Sequence, residues 1–146
     1  MKMRNLICFI VFITIFPALY GQSDFQIIIN KNIAGETLDP ATLKNIYLGK
    51  KTQWKDGSKI VPVTLKDGDI HQQFMSEVVK KSVTAFNNYW RKMIFTGKGV
   101  PPISFQAEQE VVEYINNTEG AVGYISKENQ DALSGFGNVV VEELPQ

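Results

Sequence analysis

The residues best suited to chemistry lie in residues 63–74, which read VTLKDGDIHQQF. An apolar strand-like run there passes through a short turn into the start of a helix. Such a junction presents unpaired backbone N–H groups and the positive end of a helix dipole, which suit it to holding an anion. Two interpretations remain open, namely an anion site and a ligand-free helix start that Asp67 or Asp69 caps.

The candidate ligand contacts at this turn are Lys66, Gly68, Asp69, Ile70 and His71. Lys66 supplies a positive charge, although as a point donor without the bidentate fork of arginine. Gly68 lets the backbone approach a ligand closely. The two aspartates disfavour a dianion, unless one of them accepts the proton of a monoprotonated oxyanion.

His71 is the only histidine of the chain and lies in the first turn of the predicted helix. It can donate a hydrogen bond to an anion when protonated. A helix N-terminus lowers the affinity of imidazole for a proton, so we expect His71 to be mostly neutral near pH 7. The simpler alternative is an exposed polar residue on the helix surface.

The residue types exclude several other classes of function. The only cysteine, Cys8, lies in the N-terminal apolar run, and a single histidine cannot build a histidine-based metal site. No serine lies in a G-x-S-x-G elbow. The formal net charge is +0, so no basic excess indicates nucleic-acid binding. The sequence therefore predicts no catalytic residue, no metal, no cofactor and no nucleic-acid partner.

The N-terminus has the pattern of a secretory signal. Lys2 and Arg4 precede an apolar run over residues 6–16, which is too short to span a bilayer unaided. With the small residues Ala18 and Gly21 after it, the run predicts a signal peptide over residues 1–21, cleaved after Gly21. A retained membrane anchor is the competing interpretation. Residues 22–146 are then one exported or periplasmic domain.

Strand and helix patterns alternate along this domain. The strands are predicted at residues 25–30, 59–65, 121–126 and 138–142, and Pro62 indicates an edge or a bulge in the second. The helices are predicted after Asp39-Pro40, at residues 69–81, from Thr84, and from a Ser104 cap to Asn116. The alternation predicts an α/β domain in which helices flank a small mixed sheet.

Aromatic residues are expected to pack in the core rather than to bind ligands. The helix from Thr84 carries Phe86, Tyr89, Trp90, Met93 and Ile94 at the three-and-four spacing of a deeply buried face. Trp54 lies in a loop, where a lone aromatic is more often a packing plug than a ligand platform. Arg91 and Lys92 fall off the buried stripe, and we expect them to be solvated.

The ordered succession of short motifs resembles a known family. Residues 43–50 (LKNIYLGK) with Trp54, then residues 95–97 (FTG), Pro101-Pro102 and residues 120–125 (GAVGYI), are similar to passages of the phosphate-binding proteins of ABC transporters. The resemblance covers residues 25–126. It implies the type 2 periplasmic-binding fold, here as one lobe of the usual two, with phosphate or a similar oxyanion as ligand and ABC transporter membrane subunits as partners.

The departure from the family falls at the functional turn. In family members the corresponding segment is similar to an arginine followed by a serine-glycine-threonine turn. Residues 66–71 of this chain read KDGDIH and contain no hydroxyl. One hypothesis is therefore an exported solute-binding protein for phosphate or a similar oxyanion. The alternative is an envelope accessory or protein-interaction module that kept the fold and lost the solute. Dimerisation discriminates between the two hypotheses, because two such lobes facing each other can rebuild a closed cleft.

Overall fold

A computed structural model describes residues 23–145 of the chain, so the predicted signal peptide lies outside the described residues. These residues form a five-stranded mixed sheet in the order β3-β2-β4-β1-β5. The strands are β1 (Phe25–Asn30), β2 (Val61–Leu65), β3 (Ile103–Phe105), β4 (Ala121–Ser126) and β5 (Val139–Glu142). Strand β2 is parallel to β3 and β4, and β1 is antiparallel to β4 and β5.

Four α-helices flank the sheet. They are α1 (Pro40–Tyr47), α2 (Asp69–Phe74), α3 (Val83–Phe95) and α4 (Glu108–Asn116). Helix α2 continues directly into a π-helical turn, Met75–Val79, and 3-10 turns cover Lys31–Ile33 and Lys127–Leu133. The predicted α/β class with a small mixed sheet is confirmed. Between residues 23 and 145, no helix combines the length and the apolar character that crossing a bilayer requires.

Adjacent residues of β4 place helices on opposite faces of the sheet. A Cβ atom at Gly123 would lie 2.8 Å from Cδ1 of Ile115, so this position faces α4. The ring of the next residue, Tyr124, stacks on Phe74 of α2 with centroids 3.8 Å apart. Because successive residues of a strand point to opposite faces, α4 and α2 cover different sides of the sheet.

Several local predictions are confirmed. The Asp39 carboxylate accepts a hydrogen bond of 2.6 Å from the backbone N–H of Thr42 and so caps α1. Trp54 is buried, and its indole N–H donates to the carbonyl of Gly120 over 3.1 Å. The loop tryptophan is therefore a packing plug.

Of the two alternatives at Pro62, the edge strand is wrong, because β2 lies between β3 and β4. Pairing with β3 begins only at Val63, so the ladder on that side does not extend to the proline. The Ser104 helix cap is also wrong, since Ser104 lies inside β3. The buried stripe of α3 is shorter than predicted: Phe86 and Trp90 are buried, whereas Ile94 is 54% exposed.

Candidate functional site

The turn at residues 66–68 lies at the edge of the sheet where parallel strands end. The backbone N–H of Lys66 donates to the carbonyl of Phe105 over 2.9 Å, which ties the turn to the end of β3. Lys66, Gly68 and Asp69 are exposed, and Ile70 is half-buried against the core. Gly68 has a φ of 95°, a left-handed conformation that favours glycine. The turn therefore presents its backbone and the Lys66 side chain to solvent.

The start of α2 lacks the side-chain cap found at α1 and α3. Asp39 caps α1, and Ser82 Oγ accepts from the N–H of Ala85 at α3. At α4 the Glu110 carboxylate accepts only from the N–H groups of Gln106 and Ala107, which precede the helix, so α4 also starts without a side-chain cap. The N-cap of α2 is Gly68, and no side-chain hydrogen bond caps this helix within the described part of the chain. The interpretation of an aspartate-capped helix start is therefore wrong. The first N–H groups of α2 are left as donors.

His71 points into the core and not into solvent. It is 2% exposed, so the interpretation as a surface residue is wrong. Its Nδ1 lies 2.6 Å from the hydroxyl of Tyr124, which lies 2.7 Å from Oγ1 of Thr64 and accepts from the N–H of Leu65 over 3.2 Å. The imidazole therefore fixes α2 to β2 and β4, and its Nδ1 is not free for a ligand.

Burial keeps this network uncharged. Desolvation lowers the pKa of His71, and the nearby carboxylate of Asp67 opposes that shift only in part. Burial also raises the pKa of Tyr124, although hydrogen bonds from Thr64 and Leu65 oppose that shift. The imidazole is consequently neutral near pH 7, as the sequence predicts, and the phenol keeps its proton.

An open cleft extends from the turn along α2 to the start of α3. We call it the α2–α3 cleft. Its volume is about 790 Å³, and its lining residues are Asp67, His71, Gln72, Ser76, Lys80, Lys81, Ser82, Val83 and Thr84. Lysine ammonium groups, hydroxyls and an amide give this lining a hydrogen-bonding character suited to a polar ligand.

The predicted contacts thus divide into two sets. Lys66, Gly68, Asp69 and Ile70 meet in one exposed turn, whereas His71 contributes its backbone there and its side chain to the core. The sequence prediction missed Ser76 and the segment 80–84, although the four-residue spacing of Gln72, Ser76 and Lys80 marks a polar helix face. No group of three or more His, Cys, Asp or Glu able to hold a metal occurs among residues 23–145.

Solved structures share this arrangement of strands and helices. An ABC-type phosphate transport receptor from Vibrio cholerae matches 83% of the chain with a TM-score of 0.52 and 19% identity. PstS from Borrelia burgdorferi matches 84% with a TM-score of 0.65 and 15% identity. The chain shares its fold with phosphate-binding proteins. This confirms the fold that the sequence resemblance implies.

The phosphate-binding-protein fold is matched only in part. The chain covers 46% of the Vibrio receptor and 47% of the Borrelia protein. A third structure is a Clostridium perfringens protein with bound phosphate, assigned as a phosphate ABC transporter substrate-binding protein. Its TM-score is 0.55 at 20% identity, and the match covers 81% of this chain and 53% of that one. The chain thus spans about half the length of these structures. No protein-family model and no curated protein matches the sequence.

Proposed function

We propose that the chain is an exported solute-binding-like protein that binds a small oxyanion, such as phosphate, at the turn of residues 66–71. The observation that carries the proposal is the uncapped start of α2, where backbone N–H groups lack the side-chain acceptors found at α1 and α3. An anion at this position completes those hydrogen bonds and is favoured by the helix dipole. Lys66, exposed on the same turn, adds the countercharge.

The neighbouring carboxylates define which anion is expected. Asp67 and Asp69 are exposed in the same turn, and their negative charge opposes a fully ionised dianion. An oxyanion that keeps a proton can donate that proton in a hydrogen bond to one of the carboxylates. We therefore expect phosphate to bind more tightly than sulfate, which carries no proton near pH 7.

The fold neighbours support a proposal for the wider role. The Vibrio protein is a phosphate transport receptor of ABC type. By analogy, the partners of this chain are the membrane subunits of an ABC transporter, residues 1–21 are the signal peptide, and residues 22–146 work in the periplasm or an equivalent exported compartment. In this role the chain carries a solute and is not an enzyme.

The second candidate is an envelope accessory module that kept the fold and lost the solute. The absence of any hydroxyl from residues 66–71, together with the two carboxylates there, favours this alternative. A homodimer stays a prediction that discriminates between the two candidates, because two facing lobes can close a cleft that one lobe leaves open.

The first test is isothermal titration of the full chain, expressed with its own N-terminal segment and purified as the host processes it. Phosphate and sulfate are titrated separately near neutral pH. A phosphate Kd at or below about 10 μM, roughly −7 kcal/mol, supports solute binding. A folded sample that gives no heat with either anion contradicts the proposal and favours the accessory module.

Lys66→Ala locates the site. We expect the variant to weaken phosphate binding at least tenfold, about 1.4 kcal/mol, because it removes the countercharge. Lys31→Ala is the matched control, since Lys31 directly follows β1 and β1 runs opposite to β4. Its exposed side chain therefore lies at the far edge of the sheet. Equal affinities for Lys66→Ala and wild type place the anion elsewhere.

A further inference from the structure

One surface of the domain presents several exposed apolar side chains. Phe95 is 91% exposed, Val100 81% and Ile94 54%. They lie at the end of α3 and in the loop that follows, and we call residues 91–100 the α3 corner. Grouped apolar exposure of this kind is typical of an interaction surface rather than of an ordinary monomer surface.

The helix geometry directs Phe95 away from the core. Helix α3 buries Phe86 and Trp90 against the domain. At 100° per residue, Phe95 lies about 160° around the helix axis from the mean direction of those two residues, and only about 40° from Arg91. The phenyl ring and the guanidinium therefore share the outward face of α3.

The α3 corner is held in a fixed conformation. The indole N–H of Trp90 donates to the carbonyl of Tyr47 over 3.0 Å. The helix closes with hydrogen bonds from the N–H of Gly97 to the carbonyl of Ile94 (3.0 Å) and from the N–H of Lys98 to the carbonyl of Met93 (2.9 Å). This is a Schellman closure, in which Gly97 takes a φ of 67°. The exposed apolar groups are thus displayed on a structured element.

The chain segment that contains the α3 corner carries charge of a single sign. Residues 78–107 contain no Asp or Glu, although the whole chain has a formal net charge of +0. Arg91, Lys92 and Lys98 are exposed on the corner itself. Gly49 lies against the Trp90 ring, since a Cβ atom there would be 2.8 Å from it. Lys50 is the next residue along the chain, so its charge adds to theirs. The surface therefore suits a negatively charged partner.

We propose that the α3 corner docks on an anionic lipid surface. Phe95 and Val100 enter the headgroup region, and Arg91, Lys92 and Lys98 face the lipid phosphates. Exposed aromatic and aliphatic side chains flanked by Lys and Arg are the features by which peripheral proteins bind anionic membranes. The inference does not depend on anion binding at residues 66–71.

The arrangement of the apolar groups favours lipid over a protein partner. A groove of about 340 Å³ lies beside the α3 corner, lined by Phe86, Asn87, Trp90, Arg91, Ile94, Pro101, Pro102 and Ser104. The two most exposed apolar residues, Phe95 and Val100, are not among its walls. Two projecting side chains suffice for a headgroup layer, whereas a stable protein interface buries about 800 Å² on each partner.

The test measures cosedimentation of the full chain with phosphatidylcholine vesicles, either alone or with about 30 mol% phosphatidylglycerol. We expect binding to the anionic vesicles only. Combining Arg91→Gln, Lys92→Gln and Lys98→Gln should weaken it about a hundredfold, since each charge contributes about fivefold. The control combines Lys31→Gln, Lys59→Gln and Lys127→Gln, which removes the same charge from exposed sites elsewhere. Equal losses in the two triple variants overturn the proposal.

A second measurement reports on position 95 directly. In Phe95→Trp, the tryptophan emission should shift to the blue and be quenched by brominated lipids when anionic vesicles are added. Trp54 and Trp90 are buried and supply a constant background. Val141→Trp is the matched control, because Val141 is 39% exposed on β5. An unchanged emission from position 95 overturns the proposal even if the N-terminal segment binds lipid.

The oligomeric state separates lipid from a second copy of the chain. The wild type and Phe95→Ser are compared by sedimentation equilibrium without vesicles. An oligomeric state that Phe95→Ser leaves unchanged, whether monomer or dimer, supports lipid docking. A wild-type dimer that Phe95→Ser dissociates overturns the proposal, because the α3 corner is then covered by a second chain.

Discussion

Replacing Tyr124 with phenylalanine removes one hydroxyl from the centre of the buried network behind α2. That hydroxyl contacts Nδ1 of His71, Oγ1 of Thr64 and the N–H of Leu65. The N–H of Leu65 depends on this hydroxyl for a partner, since the pairing of β2 with β4 covers only Val61 and Pro62. The Tyr124 hydroxyl thus takes the place of a ladder partner for a backbone group in the core.

The cost follows from which partners can compensate. Oγ1 of Thr64 lies 3.4 Å from Nδ1 of His71, so these two atoms can pair once the hydroxyl is gone. The N–H of Leu65 has no such replacement. One buried unsatisfied donor costs about 1–3 kcal/mol, and we expect Tyr124→Phe to lower the free energy of unfolding by about 2 kcal/mol.

Urea denaturation measures this change. With an m-value of about 1.5 kcal/mol/M, a loss of about 2 kcal/mol lowers the urea midpoint by about 1.3 M while the m-value stays constant. Tyr114→Phe is the matched control, because Tyr114 is half-buried and its hydroxyl makes no hydrogen bond in the described part of the chain. Similar midpoints for the two variants would mean that the Leu65 N–H does not depend on the Tyr124 hydroxyl.

Two further predictions concern stability. Burial lowers the pKa of His71, so the unfolded chain binds the proton more readily than the folded chain. The free energy of unfolding therefore has its full value above pH 6.5 and falls as the pH drops below 6.5. In a pH series, the urea midpoint of His71→Gln should lose this dependence on pH. A pH dependence of the urea midpoint that persists in His71→Gln arises from other groups. Ser82→Ala removes the cap of α3 and should lower the free energy of unfolding by about 1 kcal/mol in the same assay. Ser134 is exposed, and Ser134→Ala should leave the urea midpoint unchanged. Equal effects of the two substitutions contradict the capping role of Ser82.

Elements whose signals are local could be predicted from the sequence. Strand β1 matches its predicted residues, and Asp39 caps α1 as expected, because a dense β-branched run and an Asp-Pro start determine structure within a few residues. The β3 segment could not be predicted in this way. A strand of three residues has no periodicity of its own and forms only because β2 supplies its partner.

The candidate site was predictable at its turn but not around it. Gly68 and Lys66 mark the strand-to-helix junction in the sequence itself. The burial of His71 depends on Tyr124, 53 residues away along the chain, and no local pattern predicts that contact. The exposure of Ile94 likewise depends on where α3 leaves the domain surface, so spacing alone placed it on the buried stripe.

The π-helical turn, Met75–Val79, has a consequence for how this domain tolerates changes in length. A π-helical turn carries one residue more than the α-helical turn it replaces. Deleting one residue from it restores a regular α-helix but turns everything beyond by about 100°. Lys80, held at a φ of 59° just after the turn, then leaves the wall of the α2–α3 cleft together with Lys81. The place of Lys80 and Lys81 in that wall therefore depends on the one extra residue of the π-helical turn.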